Sequence, residues 1–348
     1  MAREETPVNE TTLKRTAAPD SERDATIRVV APARLHLGFL DLAGTLGRRF
    51  GSLGLTLERP CLVLRLRPSS TLTASGPDAD RAVLAAGRAM GWLGIEGGAE
   101  ITIDTALPPH AGLGSGTQLA LAVSAGMAAL HRRETSLRES GAALGRGARS
   151  AIGIGAFTEG GFLLDGGKKL NSQNNSAPPL LARHAFPAHW RVILAYDHGH
   201  SGLSGTDEVT AMDTLPPFPD SLAGHLARLT LMQALPALVE EEIGPFGAAI
   251  GEIQHRLGEH YAQAQGGRYT SAAVGEAMGW LEAQGIAGVG QSSWGPTGFA
   301  FIGDPGQADQ LLADLRARYA GHPTLRFDCV RGRNSGALIE RLAPSPAA

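Results

Sequence analysis

The chain offers little that would suit a membrane, a disulfide framework or a nucleic-acid groove. Only two cysteines, Cys61 and Cys329, occur in 348 residues, and neither has a CxxC or Cys/His neighbour, so zinc and dithiol chemistry are not indicated. Both read as reduced packing residues. No sign of charge dominates: 31 basic and 34 acidic side chains leave a net charge of −3, so no broad surface for nucleic acid is expected. Any anion binding must be local. Apolar runs are interrupted by glycine, arginine or histidine short of the roughly 20 residues that span a bilayer. Residues 1–25 lack the apolar stretch of a signal peptide and read as a disordered leader. A soluble cytoplasmic protein with no membrane partner is the expectation.

What is present is apolar patterning and glycine. A 43% hydrophobic content over this length suffices for two domains with sizeable cores. Apolar residues alternate with polar ones at Ile27 and Val29, at Leu53, Leu55 and Leu57, at Leu62, Leu64 and Leu66, and at Ile101 and Ile103. That period of two predicts half-buried strands. Helices are predicted over 78–92 and 116–131, and from Ser136, where Ser136 and Glu139 have capping-box spacing. The turn-rich stretch 165–188 reads as a loop, and 190–196 as a strand followed by the glycine-rich turn DHGHSGLSGTDE. Helical spacing over 220–284 and a strand, helix and strand at 298–302, 307–319 and 324–330 complete an α+β chain. Two domains are expected, 26–187 and 188–342.

Pro108 to Leu121 reads PPHAGLGSGTQLAL, a glycine-rich loop that runs from a strand into an apolar helix. Glycines let main-chain N–H groups approach an anion, and a helix start adds unpaired donors and a positive dipole end. Phosphate at Gly112, Leu113, Gly114, Ser115, Gly116, Thr117 and Gln118, or a plain tight turn, are the two readings. A Walker loop is excluded, since Ser115 and Gly116 stand where a lysine would be needed, and the glycine spacing is not that of a dinucleotide fingerprint.

The loop resembles the second motif of the GHMP kinases; Ala31 to Asp41 (APARLHLGFLD) resembles the first, and Val289 to Phe301 (VGQSSWGPTGFAF) the third. The resemblance implies an N-terminal domain with a left-handed βαβ unit, a ferredoxin-like C-terminal domain, and a site in the cleft between them. RLHLGFLD, HAGLGSGTQLAL, GRGARSAIGIGAFTEGGFLLDGG and GQSSWGPTGF together look like the β-ribofuranosylaminobenzene 5′-phosphate synthase branch. That likeness implies decarboxylating condensation of phosphoribosyl pyrophosphate with 4-aminobenzoate or 4-hydroxybenzoate in tetrahydromethanopterin biosynthesis, with magnesium and a homodimer. Where mevalonate-kinase-like members carry an aspartate seven residues before a GG pair, this chain has Gly153. An ATP-dependent kinase and a non-catalytic binding protein on the same scaffold remain the alternatives.

Departure of pyrophosphate from ribose C1 asks for donors, cations and arginines that neutralise growing negative charge. Arg34 and His36, two apart on a strand, share a face and are candidate substrate contacts, against a surface ion pair and a core histidine. Asp41 is a magnesium ligand or a turn cap. Arg146 and Arg149 suit phosphate oxygens or a solvated helix end. Ser204, Gly205 and Glu208 are candidates in a loop over the cleft, and Gln291, Ser292, Ser293 and Trp294 in the third motif. Trp294 would stack on the aromatic acid or pack at the domain interface.

Overall fold

The computed structural model describes residues 26–171, 176–202, 210–212 and 214–343. The first sheet is built on two long neighbouring strands, β1 (Thr26–Asp41) and β2 (Arg48–Ser69). Their alternation places Ile27, Val29, Leu35, Leu53, Leu55, Leu57, Leu64 and Leu66 on covered faces, each essentially without solvent exposure. Burying such a side chain contributes roughly 1.5–3 kcal/mol, so the register of this pair is strongly fixed. The runs at 53–57 and 62–66, read as separate strands, are two halves of β2. Its first half pairs with β5 (Phe162–Asp165), and its second half with β4 (Gly98–Thr105).

The short β3 (Thr73–Ser75), helix α1 (Ala79–Leu93) and β4 form a βαβ unit with β3 and β4 parallel. Helix α2 (Ser115–Leu130) follows, apolar on nearly every side and buried from Gln118 to Ala128. A helix without a polar face belongs inside, and it lies against β1 and β2, flanked by α1, α3 (Leu137–Ala143) and α4 (Ile152–Thr158). Ser136 caps α3 by accepting the Glu139 N–H, as its spacing predicts.

The stretch 165–188 is not wholly a loop: β6 (Lys168–Lys169) pairs with β2, and β7 (Leu180–His184) pairs with β5. None of β7's residues is fully buried, so it carries no apolar alternation to betray it. Beyond it comes a second, antiparallel sheet of β8 (Arg191–Asp197), β9 (Val289–Gln291), β10 (Gly298–Ile302) and β11 (Leu325–Val330). Its order is β11-β8-β10-β9, fourth-first-third-second, which is the ferredoxin-like arrangement.

The expected division near residue 187 falls between β7 and β8, but β12 (Leu338–Leu342) returns to the first sheet and pairs with β1. One apolar core also joins the two halves, with Leu35 and Phe162 in the same cluster as Phe246, Ile250 and Phe301. The expectation that no apolar stretch reaches membrane-spanning length needs correction. Asp220–Val239 is a 20-residue helical run of sufficient hydropathy, including a π turn at Thr230–Ala234. Its interruptions are single residues, and its inner side packs on β1 and on the helix Ile243–Gln265.

Candidate functional site

The glycine loop ends at Gly114, which caps α2 at φ 83°, a left-handed conformation that suits glycine and disfavours a side chain. Thr117 and Gln118 N–H both donate to Gly114 O at 3.0 Å, whereas helix geometry leaves the Ser115 and Gly116 amides without an intrahelical acceptor. β1 holds the loop from one side: Arg34 N–H donates to Leu113 O at 3.2 Å, and the Arg34 guanidinium to Gly112 O. The same guanidinium lies over Gly114, about 3.3 Å from where a Cβ would be.

The third motif holds the loop from the other side. Ser292 Oγ donates to Gly112 O at 2.6 Å and accepts the His36 N–H at 3.0 Å, and Thr297 Oγ1 donates to Ala111 O at 2.7 Å. Gly295 crosses Gly112 so closely that a Cβ on Gly295 would lie 2.3 Å from Gly112 Cα. Two chain segments 180 residues apart are thus clamped backbone to backbone.

His36 sits at the junction, buried. Its Nδ1 accepts the Gly38 N–H at 3.3 Å, so the ring proton is on Nε2, 3.2 Å from Ser150 Oγ. Ser150 in turn donates to Asp165 Oδ2 at 3.0 Å, and that carboxylate also accepts the Ala151 and Gly167 N–H groups. Burial, with help from the Arg34 and Arg149 guanidiniums, lowers the His36 pKa from 6.5 to about 3. The imidazole is therefore neutral at physiological pH. Asp165 moves upward from its ordinary value through burial, partly offset by its N–H and O–H donors.

Cationic groups gather around this neutral core. Arg149 lies close enough to act on His36 and places Nη1 3.2 Å from Met212 Sδ. At the helix start, Arg81 and Arg146 approach Gly116. A Cβ at Gly116 would thus meet Arg81 and Arg146, where one at Gly114 would meet Arg34.

The residues that the sequence singled out sit in varied surroundings. Asp41 caps a turn, its Oδ1 accepting the Ala43 and Gly44 N–H groups at 2.8 and 2.9 Å. Among the described residues no group of three or more His, Cys, Asp or Glu side chains stands together, which leaves magnesium held by one carboxylate and substrate phosphates as the expectation. Gln118 turns inward and donates to Gly153 O at 2.8 Å instead of reaching over the loop. His36 has both ring nitrogens engaged by Ser150 and Ser293 hydroxyls and is a brace rather than a charged contact. Gln291 accepts from Thr270 N–H and Oγ1, and Ser292 and Ser293 bond to the backbone of the loop and of His36. Trp294 packs against Tyr261 with ring centres 5.0 Å apart, beside a cavity of about 20 Å³. That is room for about one water and not for a benzoate ring. Ser204, Gly205 and Glu208 lie outside the described residues.

Ser150, Asp165 and Arg81 were not singled out by the sequence. Asp165 reads as a turn residue before Gly166 and Gly167, and Arg81 as one charge on a surface helix. At Gly153, where kinase relatives carry an aspartate, a Cβ would lie 2.9 Å from Thr117 Cγ2, so close packing fills that position.

Residues 79–161 match the GHMP kinases N terminal domain, and residues 234–321 match GHMP kinases C terminal. A β-ribofuranosylphenol 5′-phosphate synthase of Methanothermobacter thermautotrophicus is 30% identical over 88% of this chain and 97% of its own. One of Archaeoglobus fulgidus is 31% identical over 90% of this chain and 99% of its own. The homoserine kinase structure of Cytophaga hutchinsonii shares the fold at a TM-score of 0.65 and 17% identity, covering 94% of this chain and all of that one.

Proposed function

Because the chain belongs to the β-ribofuranosylphenol 5′-phosphate synthase family, on the two-domain GHMP-kinase fold, we propose that it joins phosphoribosyl pyrophosphate to a para-substituted benzoate. The relatives are named for a phenol product, which favours 4-hydroxybenzoate over 4-aminobenzoate as the acceptor. The bond from ribose C1 to the pyrophosphate oxygen breaks, and the ring carbon bearing the carboxylate bonds to C1. The carboxylate then leaves as carbon dioxide, and its bonding pair restores the aromatic ring, so no external oxidant or net proton is required.

The observation that carries this reading is the convergence of Arg34, Arg81 and Arg146 on the start of α2, where the Ser115 and Gly116 amides have no intrahelical acceptor. The Ser115 and Gly116 amides with Arg34 neutralise the departing pyrophosphate, an electrostatic role typically worth a factor of about 10²–10³ per donor. Arg149, which acts on neutral His36 and lies 3.2 Å from the Met212 thioether, is the cation assigned to the benzoate carboxylate. Magnesium, in this reading, enters as a complex with the substrate's own phosphate oxygens.

The test is release of labelled carbon dioxide from carboxyl-labelled 4-hydroxybenzoate and 4-aminobenzoate by the purified protein. Release that depends on phosphoribosyl pyrophosphate and matches pyrophosphate formation one to one is expected. Phosphate transfer from ATP with no carbon dioxide would instead establish a kinase.

A further inference from the structure

We infer that Arg81 and Arg146 form a second anion subsite, at Gly116 of the α2 start, that takes a terminal phosphate monoester of the sugar substrate. The inference rests on the phosphoribosyl-transfer reading above.

An ideal Cβ on Gly116 would lie 3.1 Å from Arg81 Nη2 and 3.2 Å from Arg146 Nη1, whereas one on Gly114 would meet Arg34. The two glycines therefore face different guanidiniums, Arg34 at Gly114 and the pair Arg81 and Arg146 at Gly116. Arg146 is held by its backbone, N–H to Gly141 O at 2.7 Å, in the turn that follows α3. Its Nε is buried without a hydrogen-bond partner among the described residues. Burial lowers the Arg146 pKa, and the neighbouring Arg81 and Arg88 lower it further. Among the described residues Asp78 pairs with Arg81 at 3.0 Å from Nη1, and both Arg81 and Arg146 stand at the positive end of α2.

Like charges pressed together with an unsatisfied donor are costly for folding and favourable for binding, because an arriving dianion repays both deficits. Two planar forks match the oxygens of a single tetrahedral phosphate. A pentose with a phosphate at one end and a pyrophosphate at the other presents anions at separate points. The loop amides with Arg34 and Arg149 serve the reacting end, and Arg81 with Arg146 serves the end that does not react.

Calorimetric titration separates the two. Ribose 5-phosphate and inorganic pyrophosphate are titrated separately into the wild type, Arg81→Gln, Arg146→Gln and Arg34→Gln, with thermal unfolding as a check on folding and Arg146→Lys as a charge-conserving variant. Arg81→Gln and Arg146→Gln are expected to weaken ribose 5-phosphate by about tenfold or more while pyrophosphate affinity stays within about twofold. Arg34→Gln should show the reverse, and Arg146→Lys an intermediate loss of ribose 5-phosphate. Equal losses of both ligands, loss of pyrophosphate alone, or a wild type that binds pyrophosphate and not ribose 5-phosphate would overturn the subsite and leave the proposed reaction standing. A wild type that binds neither ligand would remove both.

Discussion

Burial acts on His36 and Asp165 in opposite directions, and the two signs give separate pH dependences. The folded His36 pKa, about 3, lies below the ordinary 6.5, so the unfolded chain takes up a proton that the folded chain refuses. Its contribution to stability is complete above about pH 6.5 and is lost as pH falls towards 3, by up to about 1.4 kcal/mol per pH unit. Asp165, raised from 3.8, holds its proton in the folded state to higher pH than in the unfolded one. It therefore favours folding most at low pH, an advantage lost as pH rises through its folded value. His131 and His260 are also lowered by burial, so the informative quantity is a difference. His36→Gln should flatten the fall in urea-unfolding free energy between pH 6 and pH 4 relative to wild type, and an unchanged slope would contradict a neutral buried His36. At the same scale, Arg149→Ala should lower kcat/KM for carbon dioxide release by about 100-fold with an unchanged melting temperature. A loss below about threefold would remove Arg149 from the reaction.

Among the elements, the decisive contact is the third motif lying on the glycine loop. Ser292 donates to Gly112 O and accepts from His36 N–H, and so sets where the amides of the α2 start point. Ser292→Ala is expected to cost about 1–3 kcal/mol by leaving those groups unpaired, and to reduce turnover by releasing the loop. Denaturant unfolding and the carbon dioxide assay read the two effects. Gly295→Ala, which places a methyl 2.3 Å from Gly112 Cα, should displace the loop and abolish activity; wild-type turnover would mean the crossing is dispensable. The loop itself was legible, because strand, glycines and apolar helix are consecutive in sequence. Its brace was not: the Ser292 hydroxyl looks like a ligand group until its partner Gly112 is known, and Thr297, bonded to Ala111, gave no signal. Likewise Asp41 and Gln118 have the right chemistry for a site, and only the fold shows Asp41 turned to its own turn and Gln118 to Gly153.

On the scale of the whole molecule, the two sheets share one core and the chain crosses between them twice, once after β7 and again into β12. The alternation at Ile27, Leu55, Leu64 and Ile101 made the first sheet readable, and the helix and strand order of 298–330 the second. β12 escaped notice because its residues are exposed or half-buried at a sheet edge, which leaves no periodic signal. Deleting residues from 338 onward should free the β1 edge at Thr26 to Val30 and lower the denaturation midpoint, while a truncated protein of full stability would show that the return strand is ornamental to the fold. In the proposed reaction the folded scaffold holds the loop amides and the surrounding arginines ready for pyrophosphate. The most direct measurement is a TROSY spectrum of protein labelled with ¹⁵N at serine and glycine, recorded while inorganic pyrophosphate is added. Saturable shifts of the Ser115 and Gly116 amides, lost in Arg34→Gln, are predicted; binding that moves other resonances and leaves these two in place would contradict the account.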